Sequence, residues 1–275
     1  MLTALPRLHH RVYSDFLMRS RLDLYGRFLE AALRADYRIT SVGSLWRLIG
    51  ERGLDPTQRY LVLRHDVDTD PRTAAAMWDI DRRLGVESSY FFRLSTIAPA
   101  LMAGIARGGG EASYHYEELS SVAKRRGLRS RSDAICHLPE ARDEFAENLG
   151  RLRTMTGLPM RVVAAHGDFV NRRLGIPNWV ILADPEFRQR LYIDLETYDD
   201  AFLRRLPSQH MDAPHPRYWA YTDPADAIRA GEPAMSVLVH PRHWRVDPLG
   251  NARDDLRRLV EGVRFEVAAG RRRRS

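Results

Sequence analysis

Two aspartates two residues apart, at the end of an apolar run, carry the first chemical signal in the chain. The run is Tyr60-Leu61-Val62-Leu63; Arg64, His65, Asp66, Asp68 and Asp70 crowd its C-terminal side before Pro71. Four consecutive apolar residues, one aromatic and one β-branched, predict a short buried strand. Ending such a strand in carboxylates is costly unless a cation or substrate chemistry absorbs the charge. Residues i and i+2 of an extended chain point the same way, so Asp66 and Asp68 face one site. His115, His166 and His240 each directly follow another apolar stretch. A single histidine in such a place is as often a satisfied core residue as a ligand. Three of them with an Asp-x-Asp point to a shared centre. Asp and His together suit a divalent metal such as zinc, with ligands drawn from different strands and one position open for water. A metal acidifies that water and polarises a carbonyl, a second carboxylate takes the proton, and a histidine protonates a leaving nitrogen. The chemistry indicated is metal-assisted hydrolysis.

Positioning these residues takes strands that alternate with helices. The pattern predicts strands over 60–65, 87–94, 111–116, 160–165 and 235–239, with weaker candidates at 37–39, 179–184, 191–195 and 218–221. Residues 207–216 read as irregular. Helices are expected over 9–35, 73–84, 139–156 and 253–263, with Pro71 opening the second, and Gly85 and Gly157 closing the second and third. Alternation of this kind builds right-handed βαβ units and a parallel sheet. Polar residues at four separate strand ends favour a barrel, whose site gathers loops from every strand, over an open sheet with one switch point. Gly108-Gly109-Gly110 precedes a strand and is no phosphate loop. With no internal repeat and no clear linker, a single barrel domain over 56–265 is expected. Residues 1–55 form a helical segment packed on it, and 266–275 a basic, disordered tail.

Composition narrows the partners. The 275 residues carry a net charge of +7, yet Lys124 is the sole lysine and the arginines interleave with acids along the chain. That is the pattern of solvated helix faces, so nucleic-acid binding is set aside. One cysteine, Cys136, excludes an internal disulfide and fits a reducing compartment. Arginines and Asp15 break up the first 22 residues, and no later apolar run is long enough for a membrane span. A cytoplasmic protein is the expectation.

Leu63-Arg-His-Asp66-Val-Asp68 with Asp70-Pro71 resembles the first motif of the polysaccharide deacetylases, the NodB-like carbohydrate esterase 4 family, in a divergent branch. Gly110-Glu-Ala-Ser-Tyr-His115 resembles the second motif, and Val237-Leu-Val-His240 the last. The resemblance spans about residues 55–245 and implies a distorted (β/α)7 barrel with a divalent metal, foremost zinc. It implies that Asp66 is the general base, Asp68 and His115 are metal ligands and His240 is the general acid. The family's second motif carries a further His four residues on, where Leu119 stands here. His166 is taken as the third ligand, with Glu117 and Glu118 as alternatives. Arg93, Tyr192, Asp194 and Trp244 are taken to line the substrate site, with Arg64 and Arg93 as counter-charges to the acids. The function implied is hydrolysis of an amide bond, foremost N-deacetylation of an amino sugar or sugar conjugate. The alternatives are another linear or cyclic amide on the same barrel, or an impaired barrel that binds a glycan or partner.

Overall fold

The computed structural model describes residues 9–271. Its centre is β2 (Arg59–Val67), nine residues long and buried along its length apart from Arg59. β1 (Tyr37–Thr40) pairs with the first half of one edge of β2, through Arg59 to Val62. β3 (Ser89–Phe92) pairs with the second half of that edge, through Arg64 to Val67. β8 (Ala234–Val239) runs along the other edge. β4 (Glu111–Tyr116), β5 (Val162–Ala165), β6 (Leu195–Glu196) and β7 (Ser208–Met211) complete a parallel sheet in the order β6-β5-β4-β3-β2-β8-β7. Seven strands thus form a continuous curled sheet wrapped by helices, a distorted (β/α)7 barrel. It does not close: among the described residues β6 and β7 do not pair. A cavity of about 190 Å³ lined by Val62, Arg64, Tyr198, Phe202 and Leu238 lies between them.

The two-residue period of the strands divides the side chains between two environments. Leu61, Leu63, Tyr90, Phe92, Tyr114, Tyr116, Val163, Val237 and Val239 point outward into cores built with the surrounding helices. Tyr60, Val62, Phe91, Val162 and Ala164 point inward and pack with Val42, Leu45 and Phe202 at the N-terminal end of the barrel. The inward rows become polar toward the C-terminal ends of the strands, where Arg64, Asp66, Ser113 and His115 are all buried. His65, one residue out of phase, faces the outer core. There it meets the Tyr25 hydroxyl at 2.8 Å and the Ser89 carbonyl at 3.1 Å and stacks on Tyr90 at 4.0 Å. Burial pushes its pKa down, which suits a neutral structural imidazole. Asp70 caps the helix Pro71–Leu84 by accepting from the Thr73 amide at 2.9 Å.

Several elements differ from the sequence expectation. The helix expected over 9–35 breaks at 18–21, between a π-turn at Tyr13–Leu17 and the helix Leu22–Arg34. Residues 179–184 fall largely in a 3-10 turn, Asn178–Leu182. Of 191–195, only Leu195 joins a strand. Residues 218–221 make a single bridge, Asp212 with Trp219, while β7 lies in the stretch read as irregular. The last helix extends well beyond 253–263, over Pro248–Arg271. Residues 272–275 of the basic tail lie outside the described residues.

Candidate functional site

The inward rows of β2, β4, β5 and β8 end at one place. Asp68 Oδ1 lies 3.4 Å from His115 Nε2 and 3.5 Å from His166 Nε2. Ligand atoms of the three residues fall within 4.8 Å of one another. His115 Nδ1 sits 2.9 Å from the Ala164 carbonyl, a bond in which the ring nitrogen donates. That bond fixes the tautomer and leaves Nε2 with a lone pair aimed at Asp68. Asp68 Oδ1 is buried with no hydrogen-bond partner. An orphaned carboxylate oxygen facing two imidazole nitrogens, one with its lone pair forward, is an arrangement that a cation completes. The donor set of one carboxylate and two imidazoles fits a divalent metal such as zinc.

The sheet register places His166. His166 follows β5, and its amide bonds the Tyr116 carbonyl at 2.8 Å, which carries the β4–β5 register one step past the strand. Opposite it in that register stands Glu117, whose Oε2 is 3.4 Å from His166 Nδ1. Arg93 grips Glu117 with contacts of 2.7–3.0 Å and is itself buried. Burial would raise the Glu117 pKa; His166 and Arg93 outweigh it, and the carboxyl lies well below its ordinary range. Arg93 therefore lies at the site with its guanidinium bound to Glu117. Glu118 turns away to accept from the Tyr114 hydroxyl and from Asn148. Leu119 is fully buried in the outer apolar core and offers nothing to the centre.

Asp66 lies beside the three donors, with Oδ2 at 3.4 Å from His115 Nε2. Arg64, two residues earlier on the same strand face, holds it through two parallel bonds of 2.8 Å. Burial raises the Asp66 pKa, but Arg64, followed by His115, more than offsets this, so the group stays ionised. From the other edge of β2 comes His240, whose Nδ1 lies 2.7 Å from Asp212 Oδ1. Asp212 also accepts from the His240 amide at 2.8 Å and from Trp244 Nε1 at 2.9 Å, and lies 3.1 Å from His243 Nδ1. Burial lowers the His240 pKa, yet Asp212 overcomes it and the imidazole is pushed up to about 9.

Two cavities open at Asp68. The larger, about 1140 Å³, includes His10, His215, His240, Arg242 and His243 in its walls. The smaller, about 490 Å³, is walled by Thr69, Arg72, Ser95, Arg253 and Arg257.

Three residues expected at the substrate site lie elsewhere. Asp194 pairs with Arg161 at 2.5 and 2.7 Å, just before β6 and β5 begin. Arg161 precedes His166 by the length of β5, roughly 16 Å of extended chain. Asp194 and the exposed Tyr192 therefore line a separate cavity of about 710 Å³, toward the opposite end of the sheet. Trp244 is buried under the site: the turn Pro241–His243 folds it back against Tyr25 and Trp219, where its indole N–H holds Asp212. Asp212 is the functional residue that sequence reasoning missed. It directly follows β7, whose residues Ser-Gln-His-Met lack the apolar run that marked the other strands.

No family model matches the chain, and no curated protein matches it. Among solved structures, the chain resembles the Streptococcus pyogenes deacetylase PplD in complex with acetate, at 12% identity and a TM-score of 0.42 over 62% of this chain and 70% of that one. It resembles the peptidoglycan deacetylase PdaC from Bacillus subtilis at 14% identity and 0.35, over 80% and 96%. It also resembles BA3943, a CE4 family pseudoenzyme from Bacillus anthracis, at 13% identity and 0.37, over 77% and 62%. At TM-scores of 0.35 to 0.42 these likenesses carry no argument about function, which rests on the site's own residues.

Proposed function

We propose that this chain is a metal-dependent hydrolase of a carbon–nitrogen amide bond, removing an N-acetyl group from an amino sugar or sugar conjugate. The observation that carries the reading is the meeting of three donors, Asp68, His115 and His166, with an ionised carboxylate and a carboxylate-tuned histidine that the donor set does not need. A divalent cation held by the three supplies an acidified water and a Lewis acid for the carbonyl. Asp66 takes a proton from water: Arg64 fixes the plane of its carboxylate and keeps it charged, leaving lone pairs free to accept. His240 enters protonated because Asp212 holds its proton well above neutrality, and it delivers that proton to the departing nitrogen. The products are acetate and a free amine. Glu117, braced by Arg93, orients His166, a role in which a carboxylate behind a ligating imidazole also raises its basicity.

Protein purified without chelator is expected to carry about one divalent ion per chain. Asp68→Ala and His115→Ala should each lose it, while Asp66→Asn should keep the ion and lose acetate release across a panel of N-acetylated sugars. A wild-type chain that takes up no ion from zinc, cobalt, nickel or manganese overturns the proposal. An Asp66→Asn variant of full activity removes Asp66 from its role.

A further inference from the structure

The helix Pro248–Arg271 packs against the helix Glu118–Arg126 and the turn Tyr13–Leu17, and its outer face is apolar. Leu249, Leu256, Leu259, Val260, Val263 and Val267 are 39–74% exposed, the largest run of exposed apolar side chains among the described residues. At 100° per residue they fall within an arc of roughly 100°, a continuous stripe along the helix. The charges of this helix are sorted. Asp254 is buried and binds Arg242 and Arg258, Asp255 binds Arg11 at 2.5 Å, Glu261 binds Lys124 at 2.7 Å, and Glu266 binds Arg173. All four acids are therefore tied to partners, and each braces the helix against another element. Arg253 and Arg264 border the apolar stripe, are exposed and have no ion-pair partner among the described residues.

We propose that this face docks on an anionic lipid surface. A helix with leucine and valine along one stripe, free arginines along one border and its acids each held in an ion pair suits the boundary between acyl chains and acidic headgroups. A second copy of the chain fits less well, because a two-fold contact lays each patch on itself and brings Arg253 and Arg264 onto like charges. The first turns of the same helix wall the smaller cavity at Asp68, through Leu249, Gly250 and Arg253. Docking would therefore set one mouth of the site at the lipid interface. The inference stands on this helix alone and needs no hydrolase activity.

The test is flotation of the full chain with phosphatidylglycerol vesicles and with phosphatidylcholine vesicles. Binding is expected to phosphatidylglycerol, to weaken as salt rises, and to be absent from phosphatidylcholine. Arg253→Gln and Arg264→Gln should each weaken it about 5-fold. Leu256→Ser with Val263→Ser should abolish it while metal content stays unchanged. Three results overturn the proposal: no flotation with phosphatidylglycerol at low salt, equal flotation of the Leu256→Ser, Val263→Ser variant, or a dimer in light scattering that this variant dissolves.

Discussion

Replacing Asp212 with Asn tests whether one buried carboxylate sets the charge of the proposed acid. In the wild type His240 is raised from an ordinary 6.5 to about 9 against the effect of its own burial, and Asp212 is the largest cause on the raising side. A shift of that size corresponds to ~3 kcal/mol in favour of the imidazolium at about 1.4 kcal/mol per unit. Asn keeps the shape and one acceptor oxygen but removes the charge. Its amide nitrogen would then face either the His240 amide and Trp244 Nε1, two donors that share Oδ2 of the carboxylate, or the His240 Nδ1 now served by Oδ1. The His240 midpoint, followed by NMR of the imidazole, should fall by about two units, toward or below its ordinary value. Because the folded pKa is raised, the stability contributed by His240 is fully present below pH 6.5 and is lost as pH climbs to about 9. Asp212→Asn should therefore lower unfolding free energy most below pH 6.5, with a smaller residual loss above 9 from the unpaired donors. If acetate release is measurable, its falling alkaline limb should move from near 9 to near neutrality. A His240 midpoint that stays near 9 in the variant refutes the assignment of Asp212 as its cause.

Other perturbations separate holding from chemistry. Glu117→Gln should weaken metal binding about 10- to 100-fold by competition titration, leaving stoichiometry at one. An unchanged affinity would show that Glu117 does not orient His166. Arg64→Met leaves Asp66 as a buried, unpaired charge and should cost ~3–5 kcal/mol in denaturant unfolding. Adding Asp66→Asn should recover part of that loss, and an additive penalty would count against the pair. Leu119→His restores the residue type of the family motif, but in a fully buried apolar position. It should destabilise the fold by ~2–4 kcal/mol and bring no second ion, because the imidazole is desolvated without a partner.

The parts of the site that were legible in the sequence are those that strand periodicity alone determines. Asp66 and Asp68 share a face because alternate residues do, and His65 is turned away by the same rule. His115, His166 and His240 were visible as polar residues closing apolar runs, and parallel strands gather such closures at one end of a barrel. Asp212 was invisible because β7, an edge strand paired only with β8, is mostly polar and leaves no apolar run for its end to close. Tyr192 and Asp194 fall in a stretch whose strand signal is weak, and Trp244 follows the last motif, so side-chain type alone points to all three. The two-residue β6 puts Asp194 before its strand, and the turn after His240 buries the tryptophan.

The position of the proposed third ligand depends on register, which no local pattern reports. His115 pairs with Ala164 and Tyr116 with Ala165, so the next step of the ladder sets Glu117 beside His166. A histidine one turn along the following helix would have to unwind the outer core that Leu119 fills. A histidine directly after β5 reaches Asp68 with no change to that core, and it arrives with Glu117 beside its other ring nitrogen. Leu119 and His166 are thus one arrangement: apolar packing keeps the helix position, and the neighbouring strand supplies the donor.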